Sequence, residues 1–267
     1  MQDTARPEGV PAQLRRQRIL ELIRTHEFVR VAELGEVFGV SQVTARADLD
    51  ALARRGLVRR IRGGAIARMV PEREHAFEET AHRLPGEKEA IGRAAAELVS
   101  DGETVILDVG TTTTEAARAL RGREDLREIT VLTSALNIAL ELEPAIPRFT
   151  VVVLGGTLRP LQHSLVDPLA ALPLEHVNAH TMFVGCNGVD PAAGITNVNL
   201  PEAEVKRRML ATARRRVVLA DGSKLGTVHL ARLCATEDVD AVITGPSADP
   251  AVVEELRQRD VDVVVAS

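Results

Sequence analysis

The chain has 267 residues, 45% apolar and 27% charged, with a net charge of −5, which describes an ordinary soluble-type polypeptide of one large or two unequal domains. No apolar run nears the ~20 residues needed to cross a bilayer, the first 13 residues lack the apolar core of a secretory signal, and Cys186 and Cys234 are too few for a disulfide framework and lack metal-ligand spacing. A cytoplasmic, reduced protein with no membrane contact, metal or cofactor is expected, and the absence of Trp and Tyr speaks against single-strand nucleic-acid binding by aromatic stacking.

Charge is distributed unevenly. Residues 1–68 hold 13 Arg and 8 acids, a balance of +5, so the other 199 residues carry −10. A basic head on an acidic body suggests that one part meets a phosphate polyanion and the other does not.

In the head, Ile19, Leu22 and Ile23 share one helical face, with Arg15, Arg16 and Arg18 clustered before them. A second helix fits 31–38, with Val31, Leu34 and Phe38 inward and Gly39 ending it. Ser41 stands at the N-cap position of a third, where Ala45, Leu49 and Leu52 form the buried stripe and Gly56 closes the run. Residues 57–66 then predict a hairpin turned at Gly63-Gly64 and studded with Arg59, Arg60 and Arg62. Two helices joined by a tight turn and followed by a basic hairpin make a winged helix-turn-helix. Gln42, Thr44 and Arg46 fall at the outer, leading end of the third helix, where Gln and Arg can pair with base edges. Ser41 and Thr44 can donate to phosphates, and Arg59, Arg60 and Arg62 suit a wing lying along the backbone. A small protein-interaction domain with arginines kept for solubility is the competing reading.

Residues 69–85 look like a charged linker with a possible short helix. From residue 86 the pattern alternates: helices over EKEAIGRAAAELV, TEAARALRG, PEAEVKRRMLATA and DPAVVEELRQR, and seven β-rich runs, TVILD, ITVLT, FTVVVL, HTMFVG, RRVVLA, DAVITG and DVVVA. Strands apolar on both faces and separated by helices predict an α/β domain with a mostly parallel sheet covered on both sides. The expected division is therefore 1–68 for DNA binding, 69–85 as linker and 86–267 as a sensing domain.

Strand, Gly/Thr turn and helix follow one another in TVILDVGTTTTEAARAL. Gly110 allows close backbone approach, and Thr111, Thr112 and Thr113 would gather amides and hydroxyls at a helix N-terminus, a geometry suited to a phosphate monoester or, without a ligand, to a plain threonine cap. Only three of the 33 cationic side chains are lysines: Lys88, Lys206 and Lys224. Lys224 lies just past a strand end, where open α/β sheets bind ligands, although a solvated loop lysine would read the same way. Thr133-Ser134, Gly155-Gly156 and Gly185 to Gly188 end three further strands, and Glu202, Glu204 and Lys206 open a helix whose dipole acids also complement.

These residues carry a family resemblance. The stretch 15–66 resembles the winged helix of the DeoR family of bacterial sugar-operon repressors, matching it at Ser41, Thr44, Arg46, Asp48, Leu49, Gly56, Gly63 and Gly64, with Ala47 in place of the family's second Arg. The resemblance continues through Glu87–Ile91, Leu107–Thr112, Gly155–Leu158, Phe183–Thr196, Glu202–Met209 and Ala220–Gly226. It implies a sensor domain similar to ribose-5-phosphate isomerase and glucosamine-6-phosphate deaminase, and a phosphorylated sugar as effector. By that similarity Gly110, Thr111, Thr112 and Lys224 would hold the phosphate, while Asn187, Gly188, Asp190 and Glu202 would face the sugar. Asp108, Thr113, Thr133, Ser134 and Gly156 complete the expected effector set.

The rival reading is a sugar-phosphate isomerase with an accessory DNA-binding domain. The isomerases that the domain resembles carry an acidic cluster where this chain reads Gly185-Cys186-Asn187-Gly188-Val189-Asp190, and only Asp190 is acidic. Asn187 can bind a hydroxyl but cannot abstract a proton. The expectation is therefore a non-enzymatic repressor that binds double-stranded operator DNA as a homodimer or homotetramer and is released by a phosphorylated sugar.

Overall fold

In the computed structural model, which describes residues 12–26, 28–54, 58–61, 63–67, 74–166 and 169–267, the chain divides into two compact units, Met1–Arg73 and Glu74–Ser267. The first holds α1 (Ala12–His26), β1 (Phe28–Arg30), α2 (Val31–Phe38), α3 (Gln42–Arg54), β2 (Val58–Ile61) and β3 (Gly64–Ala67). Its core gathers Ile19 and Ile23 of α1, Val31 and Leu34 of α2, and Ala45, Leu49 and Leu52 of α3 beneath Val29, Val58 and Ala65 of the strands. These are the apolar positions of each helical period, so burial rather than propensity fixes the three helices.

Gly39 ends α2 in the left-handed conformation (φ 62°) and donates its N–H to the Gly35 carbonyl. The wing is a three-stranded antiparallel sheet, β1–β3–β2, rather than a hairpin alone. Phe28–Arg30 is too short for an alternation to show in sequence. The two wing glycines act differently. Gly63 supplies the positive φ of the turn (87°), whereas a Cβ on Gly64 would stand 2.2 Å from the Val29 carbonyl, so Gly64 is what lets β1 pair with β3.

The second unit opens with α4 (Phe77–Ala81) and α5 (Pro85–Glu97). It continues through β4 (Thr104–Leu107), α6 (Thr111–Gly122), β5 (Ile129–Thr133), α7 (Leu136–Leu142), β6 (Phe149–Val153), β7 (Thr157–Arg159) and β8 (Ser164–Val166). The remainder is β9 (Ala179–Gly185), β10 (Gly188–Asp190), β11 (Gly194–Asn197), α8 (Leu200–Thr212), β12 (Ala213–Leu219), β13 (Ala231–Cys234), β14 (Ala241–Thr244), α9 (Pro250–Arg257) and β15 (Asp262–Val265). The seven apolar runs of the sequence are the seven strands of one parallel sheet, ordered β15-β14-β12-β9-β4-β5-β6. The β7–β8 hairpin and a small antiparallel sheet, β10–β11–β13, are appended to it.

Alternate side chains enter two cores. Val105, Leu107, Val131, Phe183 and Val217 face Ile91, Ala117 and Ile138 of α5, α6 and α7. Ile106, Met182, Val184 and Val218 face Ala203 and Met209 of α8 and Leu256 of α9. Helices therefore cover both faces, as strands apolar on both sides require. From β4 the chain winds one way through β5 and β6, and from β9 it winds the other way through β12, β14 and β15. The reversal makes the C-terminal ends of β4 and β9 a topological switch point, where open α/β sheets bind ligands. No helix among the described residues is long and apolar enough to cross a membrane.

Candidate functional site

The turn leaving β4 sits at the switch point. Gly110 has φ 146°, ψ 161°, a conformation only glycine adopts easily, and it bends the chain directly into α6. The first N–H groups of a helix have no partner within it, so Thr111, Thr112 and Thr113 present their amides here. The hydroxyls divide by role. Those of Thr113 and Thr114 donate back to the Gly110 carbonyl at 2.9 and 2.8 Å, fixing the turn. Those of Thr111 and Thr112 are buried and have no partner. Leaving a buried hydroxyl unpaired costs about 1–3 kcal/mol. Two such groups beside a helix N-terminus are an arrangement that an anion could satisfy.

β9 enters beside this turn and is clamped to it. Lys206 of α8 donates to Asp108 Oδ2 at 2.5 Å and to the Gly185 carbonyl at 2.8 Å, and the Gly185 N–H donates to the same Asp108 oxygen at 3.0 Å. Burial works against the Lys206 charge, but the Asp108 and Glu202 carboxylates more than offset it, so its pKa lies above the usual lysine value and the ammonium stays charged. Asp108 thus holds the two switch-point strands together.

Cations collect on the other side. The turn after β12 carries Lys224, 3.8 Å from Asp221, and a strand spacing of about 4.8 Å sets the β4 and β12 turns roughly 10 Å apart across β9. Lys88, in the first turn of α5, is buried and donates to the Thr80 carbonyl at 2.5 Å. Burial first, with the neighbouring Lys224 charge adding to it and Asp221 opposing, lowers its pKa to about 8. Its neighbour Glu87 accepts from the Ser247 N–H (3.0 Å) and hydroxyl (2.8 Å), locking α5 over the loop that follows β14. Cys186, just past β9, feels both Lys206 and Lys224, yet burial still pushes its thiol up to about 11. All three lysines of the chain therefore converge on this sheet edge. Their rarity among 33 cations is the sequence signal that singles out all three, although only Lys224 enters the expected effector set.

Other expected residues take different places. Asn187 Oδ1 accepts from the Val198 N–H at 3.0 Å, which leaves its amide N–H groups as the donors of that side chain. Gly188 is pressed against the Thr227 carbonyl, 2.3 Å from where a Cβ would be, and pairs with Thr196. Thr133 and Ser134 are buried. Thr133 accepts from the Ala135 N–H, and the Ser134 carbonyl receives Leu165 of the hairpin. Three more of the expected residues have partners within the domain. Asp190 Oδ1 accepts from the Ala192 and Ala193 N–H groups, capping the β10–β11 turn. Gly156 (φ 132°) serves the approach of Val166, whose carbonyl lies 2.4 Å from a would-be Cβ. Glu202 accepts from Arg159 and from the Ser164 hydroxyl (2.6 Å). With Asp108 and Asp221 also paired, each carboxylate at this edge has a partner, an arrangement poorly suited to a general base.

In the first unit Ser41 caps α3. The Thr44 N–H donates to its hydroxyl at 3.1 Å and the two hydroxyls stand 2.9 Å apart. Gln42 and Arg46 are exposed on the outer face of α3, opposite its buried stripe. Val43 beside them, 74% exposed, was missed; an exposed branched aliphatic at the head of a recognition helix can meet a thymine methyl. Asp48 is buried and holds Arg15 (2.6 Å) and Arg16 (2.8 Å), which ties α3 to α1. Arg60 pairs with Asp50 at 3.0 Å and donates to the Gly64 carbonyl at 2.9 Å, so it braces the wing on α3. Arg62 and the side chain of Arg59 lie outside the described residues.

Comparison with known proteins follows the same division. Residues 15–69 match the model of the DeoR-like helix-turn-helix domain, and residues 84–246 match that of the DeoR C terminal sensor domain. The chain is 33% identical to an uncharacterized HTH-type transcriptional regulator, YulB, of Bacillus subtilis (strain 168), over 93% of this chain and 95% of that one. It is 34% identical to the HTH-type transcriptional regulator GlpR of Haloferax volcanii, over 96% and 98%. A solved ribose 5-phosphate isomerase A of Methanocaldococcus jannaschii superposes with a TM-score of 0.39 at 19% identity, over 52% of this chain and 53% of that one.

Proposed function

This chain belongs to the DeoR family of DNA-binding transcriptional regulators, and on that premise we propose that it represses a carbohydrate-catabolism operon and is released from operator DNA by a phosphorylated sugar. The observation that carries the effector class is the pair of buried, unpartnered hydroxyls of Thr111 and Thr112 at the start of α6. A phosphate oxygen would satisfy both, together with the amides beside them. Lys224 and Lys88 supply the countercharge. The backbone of Gly110 and Thr113 shapes the cradle, and the Asn187 amide reads a sugar hydroxyl.

On the DNA side, Arg46 and Gln42 contact base edges in the major groove, Ser41 and Thr44 set the register on phosphate, and Val43 adds an apolar contact. Symmetric or repeated half-sites follow if the repressor is a homodimer or homotetramer. The regulator reading is favoured over catalysis because the carboxylates of the cleft are each held by a named partner, Asp108 by Lys206, Glu202 by Arg159 and Ser164, and Asp190 by two backbone N–H groups.

The test is calorimetric titration of the full chain with paired ligands, each sugar phosphate against its unphosphorylated sugar. Binding confined to phosphorylated members, and lost in Lys224→Ala, is the expected result. Equal affinity for a sugar and its phosphate would remove the cradle from the account.

A further inference from the structure

Arg159 closes β7, and its guanidinium serves two carboxylates at once. One nitrogen donates to Glu202 of α8, and the other donates to Glu74 at 2.5 Å. The three side chains are only 17%, 7% and 14% exposed, so little solvent competes for these bonds. Glu202 stands one helical turn before Lys206, which holds Asp108, two residues ahead of Gly110. A series of alternating charges, Asp108, Lys206, Glu202, Arg159 and Glu74, thus runs from the phosphate cradle to the first residue of the second unit.

At its far end the series meets a docked segment. The Phe77 N–H donates to the Leu161 carbonyl at 2.9 Å, Gln162 Nε2 donates to the His75 carbonyl at 2.5 Å, and Glu78 pairs with His163 at 2.9 Å. All three contacts lie in the turn of the β7–β8 hairpin. The same hairpin is fastened to the β5 turn, where the Leu165 N–H donates to the Ser134 carbonyl at 2.8 Å. Residues 74–80 are therefore held by one hairpin whose base touches the cleft, and they are the stretch that the polypeptide enters on leaving the DNA-binding unit.

We infer that Arg159 is the positioning residue that reports occupancy of the cleft to residues 74–84. One guanidinium between two carboxylates leaves one negative charge uncompensated, so the partners compete for it. A sugar hydroxyl donating to Glu202 weakens that carboxylate's claim, and Arg159 then closes on Glu74 and tightens the segment. This inference rests on the effector site proposed above.

Hydrogen exchange of the full chain, read by mass spectrometry, tests it with a mixture of ribose 5-phosphate, glucose 6-phosphate, fructose 6-phosphate and fructose 1-phosphate as the probe. In the wild type the mixture slows exchange at residues 110–114 and also at 74–84, each by about 5-fold or more, the lower end of ordinary coupling. In Arg159→Gln the slowing at 110–114 persists and that at 74–84 disappears. Glu74→Gln, which breaks the series at its other end while keeping the side chain's size, gives the same separation should Arg159→Gln fail to fold. The inference is overturned if the wild type responds at 110–114 alone, or if either variant still responds at both segments. No response at 110–114 in the wild type would instead remove the effector site, and this inference with it.

Discussion

Thr111 and Thr112 differ from Thr113 and Thr114 in one respect: their hydroxyls donate to nothing. Replacing both with valine keeps the shape and removes the groups a phosphate would use. Hydrogen bonds to a charged partner contribute about 1.5–3 kcal/mol each, so the double variant should bind sugar phosphate at least about 100-fold more weakly, with its thermal midpoint unchanged or raised. Calorimetry and a melting curve check the two halves. Lys88 adds a pH dependence. Its pKa of about 8 means that its charge is lost as pH rises through that value, whereas a phosphate monoester, with a second pKa of about 6, is already a dianion above pH 7. Effector affinity should therefore fall between pH 7 and 9, and Lys88→Gln should flatten the profile. An affinity that rises over this window would contradict the role given to Lys88. Lys206 is structural by comparison. Lys206→Met leaves Asp108 buried without its cation and should lower stability by about 3–5 kcal/mol in denaturant titration, and Asp108→Asn in the same chain should restore part of it.

At the scale of elements, much of the fold could be read from sequence, for a physical reason. Parallel strands covered on both faces must be apolar throughout, so all seven stood out as continuous runs such as ITVLT and FTVVV. The elements that escaped are short. Leu136–Leu142 makes barely two turns of α7, and Phe28–Arg30, Thr157–Arg159 and Ser164–Val166 have three residues each. The strand, Gly/Thr turn and helix of residues 104–122 were legible because such a unit is local. The roles of Asp108, Glu202 and Asp190 were not, since nothing near Asp108 in the chain announces Lys206, 98 positions away. The same distinction changes what the wing predicts. Arg46→Ala on exposed α3 should relax sequence choice with little change in salt dependence. Arg60→Ala removes the brace to Asp50 and the Gly64 carbonyl, so it should reduce the stability of the wing and weaken binding to every sequence alike. Anisotropy titrations at several salt concentrations separate the two, and matching behaviour of both variants would overturn this division.

For the whole molecule, the proposed function couples two anion receptors through one equilibrium: a DNA-binding unit and a cleft that would take a phosphorylated sugar and thereby favour the DNA-free form. A ligand shifts such an equilibrium only by its differential affinity for the two states, commonly about 1–3 kcal/mol. The most direct measurement is operator affinity of the full chain on its own upstream DNA, by anisotropy, with sugar phosphates and their parent sugars added in turn, for the wild type and the Thr111→Val/Thr112→Val variant. The account predicts that at least one sugar phosphate weakens wild-type binding by about 5- to 150-fold, that its parent sugar does not, and that the variant binds DNA normally and ignores both. A variant released as readily as the wild type would contradict it.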